Sequence, residues 1–113
     1  MKLIERGSGR TIAQTVELAN SFVTRARGLL FRTGIAKDHA LVLFDTNSIH
    51  MFMMLFTIDV VFLNGDRKIV RVDPRRRPFG FPVMAWGAKY AVEMADGRIA
   101  ESGLQVGDVL SWD

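Results

Sequence analysis

The stretch Ile58-Asp59-Val60-Val61-Phe62-Leu63-Asn64-Gly65-Asp66-Arg67-Lys68-Ile69-Val70-Arg71-Val72 decides the fold. Its opening half and Ile49–Leu55 just before it are richer in branched and aromatic residues than any other segment. Such residues suit a pleated, buried strand. Asn64-Gly65 then supplies a turn, because Asn-Gly tolerates the positive φ that a two-residue hairpin needs at both positions. The pattern predicts Ile58–Leu63 antiparallel to Asp66–Val72, with Phe62 opposite Arg67 and Val60 opposite Ile69. In that register Asp59 lies opposite Val70 and diagonal to Lys68.

Upstream, Lys2–Glu5 reads as a short strand closed by a Gly7-Ser8-Gly9 turn. Thr11–Ala19 alternates Ile12, Gln14, Val16 and Leu18 against Ala13, Thr15, Glu17 and Ala19, the period of a half-buried strand. At Ser21 the period changes. Phe22, Ala26, Leu29 and Leu30 recur near helical spacing, which predicts a short helix over Ser21–Leu30, interrupted near Gly28. Leu41–Phe44 is a fully apolar run of strand length.

Downstream, Pro74, Pro78, Gly80 and Pro82 predict a surface loop from Asp73 to Pro82. Tyr90–Met94 reads as another strand. Asp96 is placed to cap a short helix over Arg98–Ser102, ended by Gly103, and Val106–Trp112 reads as a closing strand. Six to eight short strands and two short helices make an all-β, β-rich sandwich or barrel. With 113 residues, the chain is expected to be one domain spanning 1–113.

Composition removes several kinds of chemistry. There is no Cys, so thiolate catalysis, Cys-ligated zinc, iron–sulfur clusters and disulfides are excluded. Two histidines, His39 and His50, argue against a tetrahedral zinc site. The glycines lack the spacing of a phosphate cradle, and Ser48 lacks the glycine-flanked turn of a hydrolase nucleophile. No cofactor is called for. The longest apolar stretch, Ile49–Val61, is broken by His50, Thr57 and Asp59, so no membrane span is expected. Met1–Gly7 lacks the apolar centre of an export signal, and a soluble, cytoplasmic protein is the expectation.

The net charge is +3, but its distribution says more. Arg67, Lys68, Arg71, Arg75, Arg76 and Arg77 stand against Asp73 alone, which leaves +5 there and −2 over the remainder. A spot of this kind steers acidic partners, while the body of the chain would repel a polyanion. Nucleic acid is therefore not the expected partner. No motif fixes an oligomeric state.

Two polar residues interrupt the apolar middle. His50 and Asp59 together are the usual construction of a general base or an oriented ligand. The plainer reading pairs Asp59 with Lys68, or with main-chain amides, and leaves His50 hydrogen-bonded in the core. Met51, Met53 and Met54 read chiefly as core filling, with a soft-metal site or an adaptable binding surface as the rivals. Arg75-Arg76-Arg77-Pro78-Phe79-Gly80-Phe81 joins guanidinium groups to aromatics, either a site for anions and stackable rings or a solvated loop. Trp86, in Ala85-Trp86-Gly87-Ala88, fits a sugar platform and a core plug equally well.

Arg25-Ala26-Arg27-Gly28-Leu29-Leu30-Phe31-Arg32, Asn47-Ser48-Ile49-His50 and Ile58–Leu63 together resemble the family called domain of unknown function 192. Ala91-Val92-Glu93-Met94-Ala95-Asp96-Gly97 and Val106-Gly107-Asp108-Val109 are similar to its closing motifs, so the likeness runs through nearly the whole chain. It implies a small jelly-roll-like β-rich fold and brings no activity. Arg27, Arg32, His50 and Asp59 match family motif positions, whereas Leu55 and Thr57 replace a usual basic residue and a usual Pro.

Three functions follow as expectations. The first is a ligand-binding β-domain whose concave face takes a small polar or anionic molecule, a saccharide among the candidates. His50, Asp59 and Trp86 would line it, with arginines of 25–32 (Arg27 and Arg32) or of 75–77 at its rim. The second is a partner-binding module acting through the basic 67–77 segment. The third is an enzyme using a His50–Asp59 acid/base pair.

Overall fold

Burial on alternate positions suffices when one face of a strand is covered, yet Ile58–Leu63 is buried at every position. Both of its faces are covered. The computed structural model describes residues 1–19, 34–49 and 54–112. In chain order these form β1 (Leu3–Glu5), β2 (Arg10–Ala13), β3 (Thr15–Ala19), β4 (His39–Phe44) and β5 (Ser48–Ile49). Then come β6 (Ile58–Leu63), β7 (Ile69–Arg76), β8 (Val83–Met84), β9 (Tyr90–Ala95), α1 (Arg98–Ser102) and β10 (Leu110–Ser111).

A five-stranded sheet of order β3-β4-β9-β6-β7 is the centre of the molecule. β3 runs parallel to β4, and the other pairs are antiparallel. One face presents Val42, Val61, Leu63, Val92 and Met94 to a three-stranded sheet, β10-β1-β2, and to Ile99 of α1. The opposite face presents Leu41, Leu43, Val60, Phe62 and Ala91 to the β5–β8 ribbon, through Ile49, Val83 and Ala85. Strands at both edges leave no closed barrel, and the fold is β-rich and layered. Burying one large apolar side chain contributes about 1.5–3 kcal/mol, so β6 is costly to disturb. Phe44, Tyr90 and Trp112 meet edge to face with centroids 5.1–6.2 Å apart, and the Arg67 guanidinium lies 4.0 Å from the Trp112 ring centroid.

The central hairpin forms, but in a different register. Leu63 pairs with Ile69, Phe62 with Arg71 and Val60 with Asp73. The reason is Asn64. Its Oδ1 accepts the amides of Asp66 and Lys68 at 2.9 and 3.0 Å, and its main-chain N–H donates to the Lys68 carbonyl at 2.9 Å. The loop is thereby widened to 64–68, and the positive φ falls on Arg67 (62°) instead of Gly65.

Three other boundaries move. Thr11–Ala19 is two strands, because the amides of Gln14 and Thr15 both donate to the Asp38 carbonyl, which turns the chain from one sheet into the next. The predicted loop from Asp73 is strand as far as Arg76, since β7 is an edge strand and Pro74 sits in a bulge where no ladder donor is needed. The closing strand shrinks to Leu110–Ser111. Helix α1 forms over Arg98–Ser102 as expected, with Gly103 at φ 72° ending it. Its N-cap is Gly97 at φ 91°, and Asp96 contributes no capping bond. The expected helix Ser21–Leu30 lies outside the described residues, as do Met51 and Met53. Met54 is buried in the core.

Candidate functional site

Asp59 is fully buried, on the face of the central sheet that looks toward α1 and away from the β5–β8 ribbon. Its Oδ1 accepts the Arg75 amide at 2.9 Å and its Oδ2 accepts the Ile99 amide at 2.7 Å. The second bond reaches a free N–H in the first turn of α1, so the helix is capped from β6, a distant strand, and not by its own flank. Of the two plainer partners for Asp59, the main chain takes the carboxylate, through the amides of Arg75 and Ile99. His50, Arg27 and Arg32 lie outside the described residues.

The basic segment is built differently from a solvated loop. Opposite Asp59 the β6–β7 ladder skips, from Ile58↔Arg76 to Val60↔Asp73, and Arg75 takes φ 57°. Arg71 donates through Nε and Nη2 to the Asp73 carboxylate at 2.6 and 3.2 Å, and through Nη1 to the Met84 carbonyl at 3.0 Å. Arg76 donates to the Phe81 carbonyl, and Arg75 Nε lies 3.5 Å from Asp96 Oδ1. The Arg71 and Arg76 guanidinium groups thus tie Met84 and Phe81 to the sheet edge. Arg77 is exposed and makes no ion pair among the described residues.

Two tight turns carry the aromatics outward. The Gly80 amide donates to the Arg77 carbonyl at 3.1 Å, with Phe79 between them at φ 56°, a left-handed conformation uncommon for so large a side chain. The Ala88 amide donates to the Ala85 carbonyl at 3.3 Å, with Gly87 at φ 79°. The β8 strand pairs with β5 and buries Val83; Ala85 is also buried, so alternation turns Met84 and Trp86 outward. Trp86 is 87% exposed and Phe81 88%. Trp86 is thus no core plug; Trp112, 3% exposed, is the buried indole.

Two buried carboxylates of the central sheet escaped the sequence reading. Asp73 is held by Arg71, and Glu93 stands on β9 opposite Leu41 and Val60. A carboxylate inside Tyr90–Ala95 was the available signal, the same signal that singled out Asp59. No group of three or more His, Asp or Glu among the described residues could hold a metal ion. A shallow cleft lined by Glu5, Arg6, Gly7, Gly107, Asp108 and Val109 includes none of the residues selected from sequence. Among the described residues no helix is long and apolar enough to cross a membrane.

The layers define a small β-rich protein in which a buried carboxylate joins a helix to an arginine- and aromatic-bearing edge. The chain belongs to the family domain of unknown function 192, described as "Uncharacterized ACR", which it matches over residues 3–112. Among its relatives, the UPF0127 protein of Thermococcus sibiricus is 37% identical over 98% of this chain and 74% of that protein. The UPF0127 protein of Pyrococcus abyssi is 36% identical over 86% of this chain and 85% of its own length. A crystal structure from Novosphingobium aromaticivorans, of a protein of unknown function, has the same fold at a TM-score of 0.84. Its identity is 24%, with 98% of this chain and 82% of that chain covered. A second, from Sinorhizobium meliloti, gives a TM-score of 0.80 and 27% identity, covering 97% and 89% of the two chains.

Proposed function

We propose that the protein is a binding module which takes an anionic ligand bearing a flat ring or sugar face on the rim formed by residues 75–86. The observation that carries this reading is Trp86, 87% exposed on a turn whose flanks are pinned to the sheet. An indole held out in water exposes apolar surface that a stacking partner would cover. Arg77, which makes no ion pair among the described residues, supplies the guanidinium for the anion, since Arg71, Arg75 and Arg76 have partners within the protein. Trp86 keeps the ligand-binding role expected from sequence, and Asp59 supports the rim from inside instead of lining it.

Fluorescence titration with sugars, sugar phosphates and nucleotides tests this, since Trp112 is a buried internal reference. Compounds that combine a ring with a phosphate are expected to quench Trp86. Loss of one stacking contact is worth about 1–3 kcal/mol, so Trp86→Ala, titrated by calorimetry, should weaken binding about fivefold to over a hundredfold. Arg77→Ser should reduce both affinity and its dependence on salt. Equal affinity in Trp86→Ala would overturn the proposal.

A protein partner is the second reading, favoured by the exposure of Phe79, Phe81 and Met84 beside the arginines. It predicts salt-sensitive association lost when Arg75, Arg76 and Arg77 become Ser, with no response to small ligands.

A further inference from the structure

We propose that Asp59 is a positioning residue for the 75–86 rim, coupling it to helix α1; this rests on the binding reading above. Asp59 joins amides sixteen and forty residues along the chain, at Arg75 and Ile99. Where the ladder skips, Pro74 and Arg75 stand opposite Asp59. Pro74 has no N–H, so Arg75 supplies the donor that meets the carboxylate. A left-handed Arg is disfavoured on its own, and a charge-assisted bond to a buried carboxylate holds it there.

The hold passes outward along the chain. Arg75 is fixed by its amide and by Asp96, the next residue, Arg76, grips the Phe81 carbonyl, and the Arg77–Gly80 turn lies between. Removing the carboxylate would free the bulge, then Arg76, then the aromatic rim. The other oxygen ties the same device to the start of α1, so loosening that end of the helix is transmitted to the rim.

Asp59→Asn leaves one acceptor and sets an NH2 group against an amide donor. The expected result is faster hydrogen exchange at Arg75 and about tenfold weaker rim binding of a nucleotide or sugar phosphate found in the fluorescence titration. Gly103→Ala is the control. It strains the far end of α1, at φ 72° with nothing within 4 Å of the added methyl, and should lower thermal stability without changing that affinity. If Asp59→Asn behaves like Gly103→Ala in both exchange and affinity, the carboxylate is only a helix cap and the proposal is overturned. Two readouts stand apart from ligand binding. In the wild-type protein the Arg75 amide should be protected comparably to Ile99 although it lies on an edge strand, and fast exchange there would also overturn the proposal. Trypsin should cut Asp59→Asn faster after Arg75 and Arg76. If the wild-type rim binds nothing while these two results hold, the binding reading falls and the positioning role stands.

Discussion

Glu5 shows how a single side chain can write a pH dependence into the fold. Its carboxylate accepts the Ser8 hydroxyl at 2.8 Å and the amides of Gly7 and Ser8 at 2.6 and 3.0 Å. These bonds, the Ser8 hydroxyl first, hold its pKa below the ordinary 4.5. A carboxylate depressed in the folded state binds its proton more readily once unfolded. Its contribution is therefore complete above the ordinary value and is lost as pH falls through the lowered one. Thermal midpoints measured across the acid range should drop less steeply for Glu5→Gln than for wild type. At the same scale, the two indoles should be separable. Trp86→Phe should leave only the blue-shifted, poorly quenched emission of Trp112, and a remaining red, readily quenched band would contradict the exposure described. Sequence alone left Trp86 undecided, because its direction depends on β8 pairing with Ser48–Ile49 far upstream.

At the level of elements, β6 and its loop separate what periodicity reveals from what side-chain chemistry decides. The apolar run made the strand legible, and Phe62→Ala should cost about 3–5 kcal/mol in denaturant unfolding. The register was hidden, because Asn64 accepts two amides with its side chain and so rejects the tight turn that Asn-Gly favours in general. Asn64→Ala leaves both donors without that acceptor and should cost about 1–2 kcal/mol, measured the same way. β7 was cut short for a related reason. Proline ordinarily breaks a strand, whereas an edge strand with a bulge accommodates Pro74. Asp96 was the natural cap for α1 by proximity, but the bond comes from Asp59, and no local pattern carries that information.

For the whole molecule, fold class was legible because strand-forming segments and turn residues recur along most of the chain. The site was legible only in its ingredients. Composition located the basic segment and the aromatics, but not that the guanidinium groups of Arg71, Arg75 and Arg76 meet Asp73, Asp96 and the Phe81 carbonyl. Nor could it reveal that Asp59 faces away from the ribbon. The strand order has a further effect on how the protein is made. β9, residues Tyr90–Ala95, sits between β4 and β6, which have no strand partner in common within the sheet without it. A chain ending at Lys89 should therefore give the circular dichroism of an unfolded polypeptide. On the ribosome, the oily strands β4 and β6 must wait with open edges until Tyr90–Ala95 has emerged. Shielding by a chaperone during synthesis would then matter more to its yield than the stability of the finished molecule.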